Sequence, residues 1–179
     1  MAEVEIRRFS EDDADAVLSV ILTIQRQEFG IDISADAQPD LRVIPDFYQS
    51  GKGQFWVAVE DGAIVGTLGL KDIGNNQAAL RKMFVAAAVR GGEHGVAARL
   101  LDRMFSHARD AGLIEIFLGT TDKFVAAHRF YEKNGFTEIA KSALPRSFPL
   151  MAVDSKFYRH KVDSLQQPAC LSPSAPPPA

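Results

Sequence analysis

The stretch 82–101, KMFVAAAVRGGEHGVAARLL, constrains the fold of this chain more than any other. A strand-like run ends at Val85, a turn carrying Gly91, Gly92 and Gly95 follows, and a long amphipathic pattern begins. The apolar positions Val96, Ala97, Leu100, Leu101, Met104, Phe105 and Ala108 recur at helical spacing, with Arg99, Arg103, His107 and Arg109 filling the other positions. Gly112 stands where a left-handed residue caps a helix. A strand, a glycine turn and a long helix in that order place unpaired helix N–H groups beside the end of a strand.

The flanking segments alternate strand and helix signals. Residues 4–9 (VEIRRF) read as an opening strand, and Ser10 precedes an acidic first turn at Glu11, Asp12 and Asp13. Val17, Leu18, Ile21, Leu22 and Ile24 carry that helix to about Phe29, and Gly30 closes it. A short helix is expected at about 40–49. QFWVAVE and AIVGTLGLKDI, joined by Asp61-Gly62, form a hairpin. A second turn at Gly74-Asn75-Asn76 leads into a strand over about 77–85, which completes an antiparallel meander. After the long helix, IEIFLG reads as a buried strand and 124–134 as a helix stopped by Gly135. Strands at 136–139 and 156–162 finish the pattern. The sum is an α/β (α+β) domain, a mixed sheet with helices on both faces.

Composition sets the bounds. The chain has 179 residues, 46% of them apolar, and a mean hydropathy of -0.05, which suits one soluble domain with a single core. No apolar run approaches the roughly 20 residues of a membrane span, and the N-terminus lacks a signal-peptide pattern. Cys170 is the only cysteine, so a cytoplasmic, reducing setting is expected. A net charge of -3 does not point to nucleic acid. Residues 164–179, uncharged and crowded with Pro, Ser and Ala, are expected to be a disordered tail behind a domain over 1–163. The tail reads as a passive terminus or as a docking segment for a Pro-binding partner.

The turn itself suits an anion. Helix N–H groups and their partial charge attract phosphate oxygens, glycines let the backbone approach, and Arg90 adds a fork of donors. A plain strand-to-helix connection has the same glycines. A Walker turn is excluded because Gly95 is followed by Val96-Ala97, and the dinucleotide fingerprint has a different spacing. The histidines, His94, His107, His128 and His160, take no metal-ligand spacing, so no metal is expected.

Residues 83–101 resemble motif A of the GNAT superfamily (GCN5-related N-acetyltransferases), with Arg90-Gly91 at its start and Gly95-Val96-Ala97 at its end. Residues 127–136, AHRFYEKNGF, resemble the superfamily's motif B, and the preceding meander matches its element order. The resemblance spans residues 4 to about 162 and implies a mixed, mostly antiparallel sheet flanked by helices on both faces. It implies acetyl-CoA as cosubstrate and direct transfer of acetyl to an amine. The acceptor is a small molecule or a protein amine, and a homodimer is compatible. A non-catalytic acyl-CoA sensor would keep the turn without needing Tyr131. By the same resemblance, Arg90, Gly91, Gly92, Glu93, His94, Gly95, Val96 and Ala97 hold the pyrophosphate. The backbone of Met83, Phe84 and Val85 pairs with the pantetheine arm, and Tyr131 is the acid that meets the leaving thiolate.

The turn is two residues longer than the usual motif, and Phe124 stands where many members place an Asn. Arg81 and Lys82 fall where some members have a Glu, so the base is open among Glu28, Asp122 and Glu132. His94 is expected near phosphate and His128 on a helix surface. The acidic series Glu28, Asp32, Asp36 and Asp40 reads as a lip for a cationic amine or as a solvated loop. The loop 142–151, with Phe148, reads as a cover for the acceptor cleft or as a simple connection.

Overall fold

The computed structural model describes residues 3–90 and 95–162. The expected tail over 164–179, with Cys170, lies outside the described residues, as do Gly91, Gly92, Glu93 and His94. The strands are β1 (Val4–Arg8), β2 (Gln54–Glu60), β3 (Ala63–Gly74), β4 (Gln77–Val85), β5 (Glu115–Thr120), β6 (Thr137–Ile139) and β7 (Lys156–Lys161). They form one sheet in the order β1-β2-β3-β4-β5-β7-β6. All neighbours are antiparallel except β4 and β5, which are parallel.

Both expected turns close the meander. Asp61 and Gly62 have φ of 52° and 79°, and Asn75 and Asn76 have φ of 54° and 59°, the left-handed pairs that match the strand twist. β4 and β5 must be joined by a crossover, because parallel neighbours cannot share a hairpin. That crossover is α3 (Val96–Ala111), which runs between left-handed Gly95 and Gly112.

Period-two alternation sends β2 into two cores. Trp56 and Ala58 face a cluster with Leu68, Leu100, Leu101 and Met104 under α3. Phe55 and Val57 face α1 (Ala14–Thr23) and α2 (Ile44–Phe47) through Val17, Ile21, Ile44 and Tyr48. Thus α3 and α4 (Val125–Lys133) cover one face, and α1 and α2 cover the other. The first helix departs from the expected regular form: a 3-10 turn at Glu11–Asp13 precedes α1, and a π-helical segment, Ile24–Glu28, extends it. The expected helix at 40–49 is a 3-10 turn, Pro39–Arg42, followed by α2.

Candidate functional site

The site begins where the parallel pair comes apart. β4 and β5 are in register at Gln77 with Glu115, Ala78 with Ile116 and Ala79 with Phe117, and go no further. β4 continues to Val85 and β5 to Thr120, so the sheet opens as a fork at their carboxyl ends. Backbone groups of Met83, Phe84 and Val85 on the open side have no strand partner in β5. Both α3 and α4 start at this end of the sheet. A crevice beyond the carboxyl ends of parallel strands, edged by helix starts, is the usual ligand position in open α/β sheets.

A bulge shapes the fork. Thr67 pairs with Phe84 and Gly69 with Arg81, which leaves Lys82 and Met83 opposite Leu68 alone. Lys82 has φ of 53°, a left-handed conformation that strains a side-chain residue by about 1–2 kcal/mol. Its carbonyl oxygen accepts the Thr67 hydroxyl at 2.7 Å. Neighbours on a regular strand point to opposite faces, but here both Arg81 and Lys82 reach Asp40 on the α1/α2 face.

A buried polar cluster results. Lys82 Nζ donates to Gln38 Oε1 at 2.6 Å, and Gln38 and Gln25 exchange amide hydrogen bonds at 2.9 and 3.0 Å. Asp40 accepts the Tyr48 hydroxyl at 2.6 Å, and Arg81 Nε donates to Tyr48 at 3.2 Å. Burial pulls the Lys82 ammonium down to about 8, and Asp40 only partly offsets this. Burial likewise raises the Tyr48 phenol well above its usual value.

On the other side of the fork, Arg90 follows β4 and Gly95 opens α3. Gly95 has φ of 55°, and a Cβ built there would meet nothing within 4 Å. Among the described residues no side chain caps the start of α3 at Gly95. Arg90 does not stand free: it donates to the Val85 carbonyl at 2.9 Å and pairs with Glu28. Next to that pair, Phe29 packs on Phe124 with ring centroids 4.2 Å apart. The end of the first helix therefore touches both the turn after β4 and the start of α4.

Tyr131 lies in the core beneath α3, 8% exposed, edge-on to Phe136 with centroids at 5.6 Å. Burial pushes its phenol well above the ordinary value, which keeps the proton on. The candidate bases are mostly engaged. Glu28 holds Arg90, and Glu132 accepts the Tyr158 hydroxyl at 2.7 Å, whereas Asp122 is exposed. His128 is buried instead of lying on a helix surface, with Nε2 at 2.9 Å from the Thr121 carbonyl.

The acidic lip dissolves into pairs. Glu28 meets Arg90, Asp36 meets Arg42 and Asp40 meets Arg81 and Lys82, leaving Asp32 as a solvated member. Phe148 is buried among Ile73, Ala79, Phe117 and Phe157, so it anchors its loop against the sheet. The residues that sequence reasoning missed are Gln38, Asp40 and Tyr48 as partners of the β4 cations. The sign available was a Lys and an Arg side by side in a strand whose other members, Gln77 apart, are apolar.

The acetyltransferase (GNAT) family profile matches residues 19–136. A solved GNAT-family acetyltransferase from Staphylococcus aureus Mu50 is 38% identical, with a TM-score of 0.85 over 89% of this chain and 99% of that one. The probable N-acetyltransferase family 8 member 5 of Mus musculus is 32% identical over 70% of this chain and 56% of its own length. The N-acetylaspartate synthetase of Rattus norvegicus is 35% identical over 58% of this chain and 34% of its own. The chain thus spans about half or less of the length of these two curated relatives. With a profile match over most of the chain and a solved family member superposing over 89% of it, the chain belongs to the acetyltransferase (GNAT) family.

Proposed function

We propose that the chain is an acetyl-CoA-dependent N-acetyltransferase that passes acetyl directly to an amine. The observation that carries this reading is the opened β4–β5 fork, with the start of α3 and Arg90 at its mouth. A thioester arm laid along β4 would find the free backbone groups of Met83, Phe84 and Val85. The pyrophosphate would meet Arg90, the turn Gly91, Gly92, Glu93 and His94, and the amides of Gly95, Val96 and Ala97.

In the reaction the amine nitrogen attacks the thioester carbonyl carbon, the carbon–sulfur bond breaks, and the thiolate leaves. Tyr131 is the donor proposed for that sulfur. Its raised pKa keeps it protonated, so it stabilises the developing thiolate through a hydrogen bond; full proton transfer to a thiol with pKa of about 8.5 would be uphill. The amine must lose a proton, and for an alkylamine with pKa of about 10.4 the neutral fraction at pH 7 is small, a deficit of about 4–5 kcal/mol. The names of the family 8 N-acetyltransferase and the N-acetylaspartate synthetase support an amine as acceptor.

The test is thiol release from acetyl-CoA across an amine panel, with calorimetry of acetyl-CoA alone. Turnover with stoichiometric binding supports the enzyme. Binding without turnover on any amine replaces it with an acyl-CoA sensor, and no binding removes the coenzyme site.

A further inference from the structure

We infer that Arg81 and Lys82 together recognise a carboxylate on the acceptor, so that the amine acetylated belongs to a molecule of the amino-acid class. The inference deepens the acetyltransferase reading above and rests on it for the position of the acceptor.

Four observations lead to it. First, the bulge turns two consecutive cations to one face at the fork, and it holds Lys82 in a strained left-handed backbone to do so. Strain that packing alone does not need points to use. Second, both side chains are withdrawn from water, 12% exposed for Arg81 and 7% for Lys82, which is costly for charges that are not fully matched. Third, Asp40 is the one carboxylate of the described residues within 4.0 Å of either, so a single negative charge serves two cations. Its Oδ2 lies 3.9 Å from Arg81 Nη2 and 3.8 Å from Lys82 Nζ, and its short bond goes to Tyr48.

Fourth, the donors remain underused. Arg81 Nη1 reaches the Pro149 carbonyl only at 3.5 Å and Nη2 the Met151 sulfur at 3.6 Å, long and weak contacts for a guanidinium. Asp154, the other acid near Arg81, is held by the Met151 N–H at 3.1 Å, and burial raises its pKa. A carboxylate entering between Arg81 and Lys82 would take up these donors and supply the missing charge. A cationic amine without one would meet two like charges.

The experiment compares each common L-amino acid with its carboxamide as acceptor, using thiol release. The α-amine of a carboxamide is the less basic and so the more often neutral, near the peptide value of about 7.7–8.0. Chemistry alone therefore favours the amide. At least one amino acid should exceed its amide about 10- to 100-fold in kcat/KM, the range of a charge-assisted pair. Lys82→Gln and Arg81→Gln should erase that ratio through the acceptor KM and leave the acetyl-CoA KM unchanged.

A second readout needs neither turnover nor a variant that folds. An N-acetyl amino acid should bind the wild-type protein with coenzyme A, and at pH 8.5 it should draw in a fraction of a proton as Lys82 recharges. Calorimetry in buffers of different ionisation enthalpy measures that uptake. Amides accepted as well as the acids, or product binding without proton uptake, would overturn the inference and leave the acetyltransferase reading standing. Acid-selective, proton-coupled binding with no turnover would uphold the carboxylate site and sink the transfer reaction instead.

Discussion

Glu28 and Arg90, 62 residues apart, form an ion pair that ties the end of the first helix to the turn after β4. The arginine proposed to meet pyrophosphate thus already holds a carboxylate. On the proposed reading, pyrophosphate competes with Glu28 for the Arg90 guanidinium. A half-exposed pair of this kind is worth about 0–1 kcal/mol. Glu28→Gln should therefore tighten acetyl-CoA binding, by up to about fivefold. Arg90→Ala should weaken it by about 1–3 kcal/mol, because a charge-assisted partner of phosphate is lost. Calorimetry on the two variants checks the competition; weaker binding in Glu28→Gln would mean that the carboxylate helps hold the coenzyme.

Two glycines in the same chain should respond oppositely to alanine. At Gly53 a Cβ would lie 2.3 Å from the Tyr48 carbonyl oxygen and 2.6 Å from that of Leu70, both backbone atoms that cannot swing away. Gly53→Ala should lower the melting temperature by many degrees, with an expected loss of roughly 3 kcal/mol or more. At Gly95 none of the described residues lies within 4 Å, so Gly95→Ala meets the left-handed strain of about 1–2 kcal/mol and no clash with them. Its main effect should be on acetyl-CoA affinity, since the new methyl would stand where phosphate is expected. Thermal melts with and without acetyl-CoA separate the two kinds of loss.

Much of this was readable from the chain, for local reasons. Gly95 and Gly112 bracket α3 because both adopt positive φ, and the Asp61-Gly62 and Asn75-Asn76 turns carry their own conformational signature. The fork could be inferred only through motif A. The bulge could not, because a lysine at positive φ has no mark in sequence, and without it Arg81 and Lys82 would point to opposite faces. Asp40 looked like one of four acids on a solvated lip. Its burial depends on strand β4, some 40 residues on, which brings its partners to it. His128 was misplaced for a similar reason: α4 packs with that side inward, against the Thr121 carbonyl.

Tyr131→Phe tests the proposed donor cleanly because the ring is what the core uses. Its neighbours Phe130, Phe136 and Tyr158 contact the ring, and none of the described residues accepts its hydroxyl hydrogen bond. The variant should fold with little change in melting temperature and bind acetyl-CoA as before. The loss should fall on kcat, about 10²–10³-fold for a hydrogen-bond donor to charge that develops in the transition state. A drop below about threefold would hand the role to water or to another donor.

Lys82 should leave a signature in stability against pH. Its folded pKa, about 8, lies below the unfolded value of about 10.4, so between these pH values the unfolded chain binds more protons than the folded one. Stability from this group is therefore lowest below pH 8 and rises as pH climbs from about 8 toward 10. The buried tyrosines act later and in the opposite sense, since a raised phenol pKa makes the folded chain hold its proton above pH 10. The window between pH 8 and pH 10 thus isolates the lysine. Denaturant unfolding of wild type and Lys82→Met across that window should show the wild type gaining on the variant by roughly 1 kcal/mol per pH unit. Parallel curves across the window would show that the ammonium is fully compensated in the folded protein, with Asp40 at 3.8 Å offsetting its burial completely rather than in part.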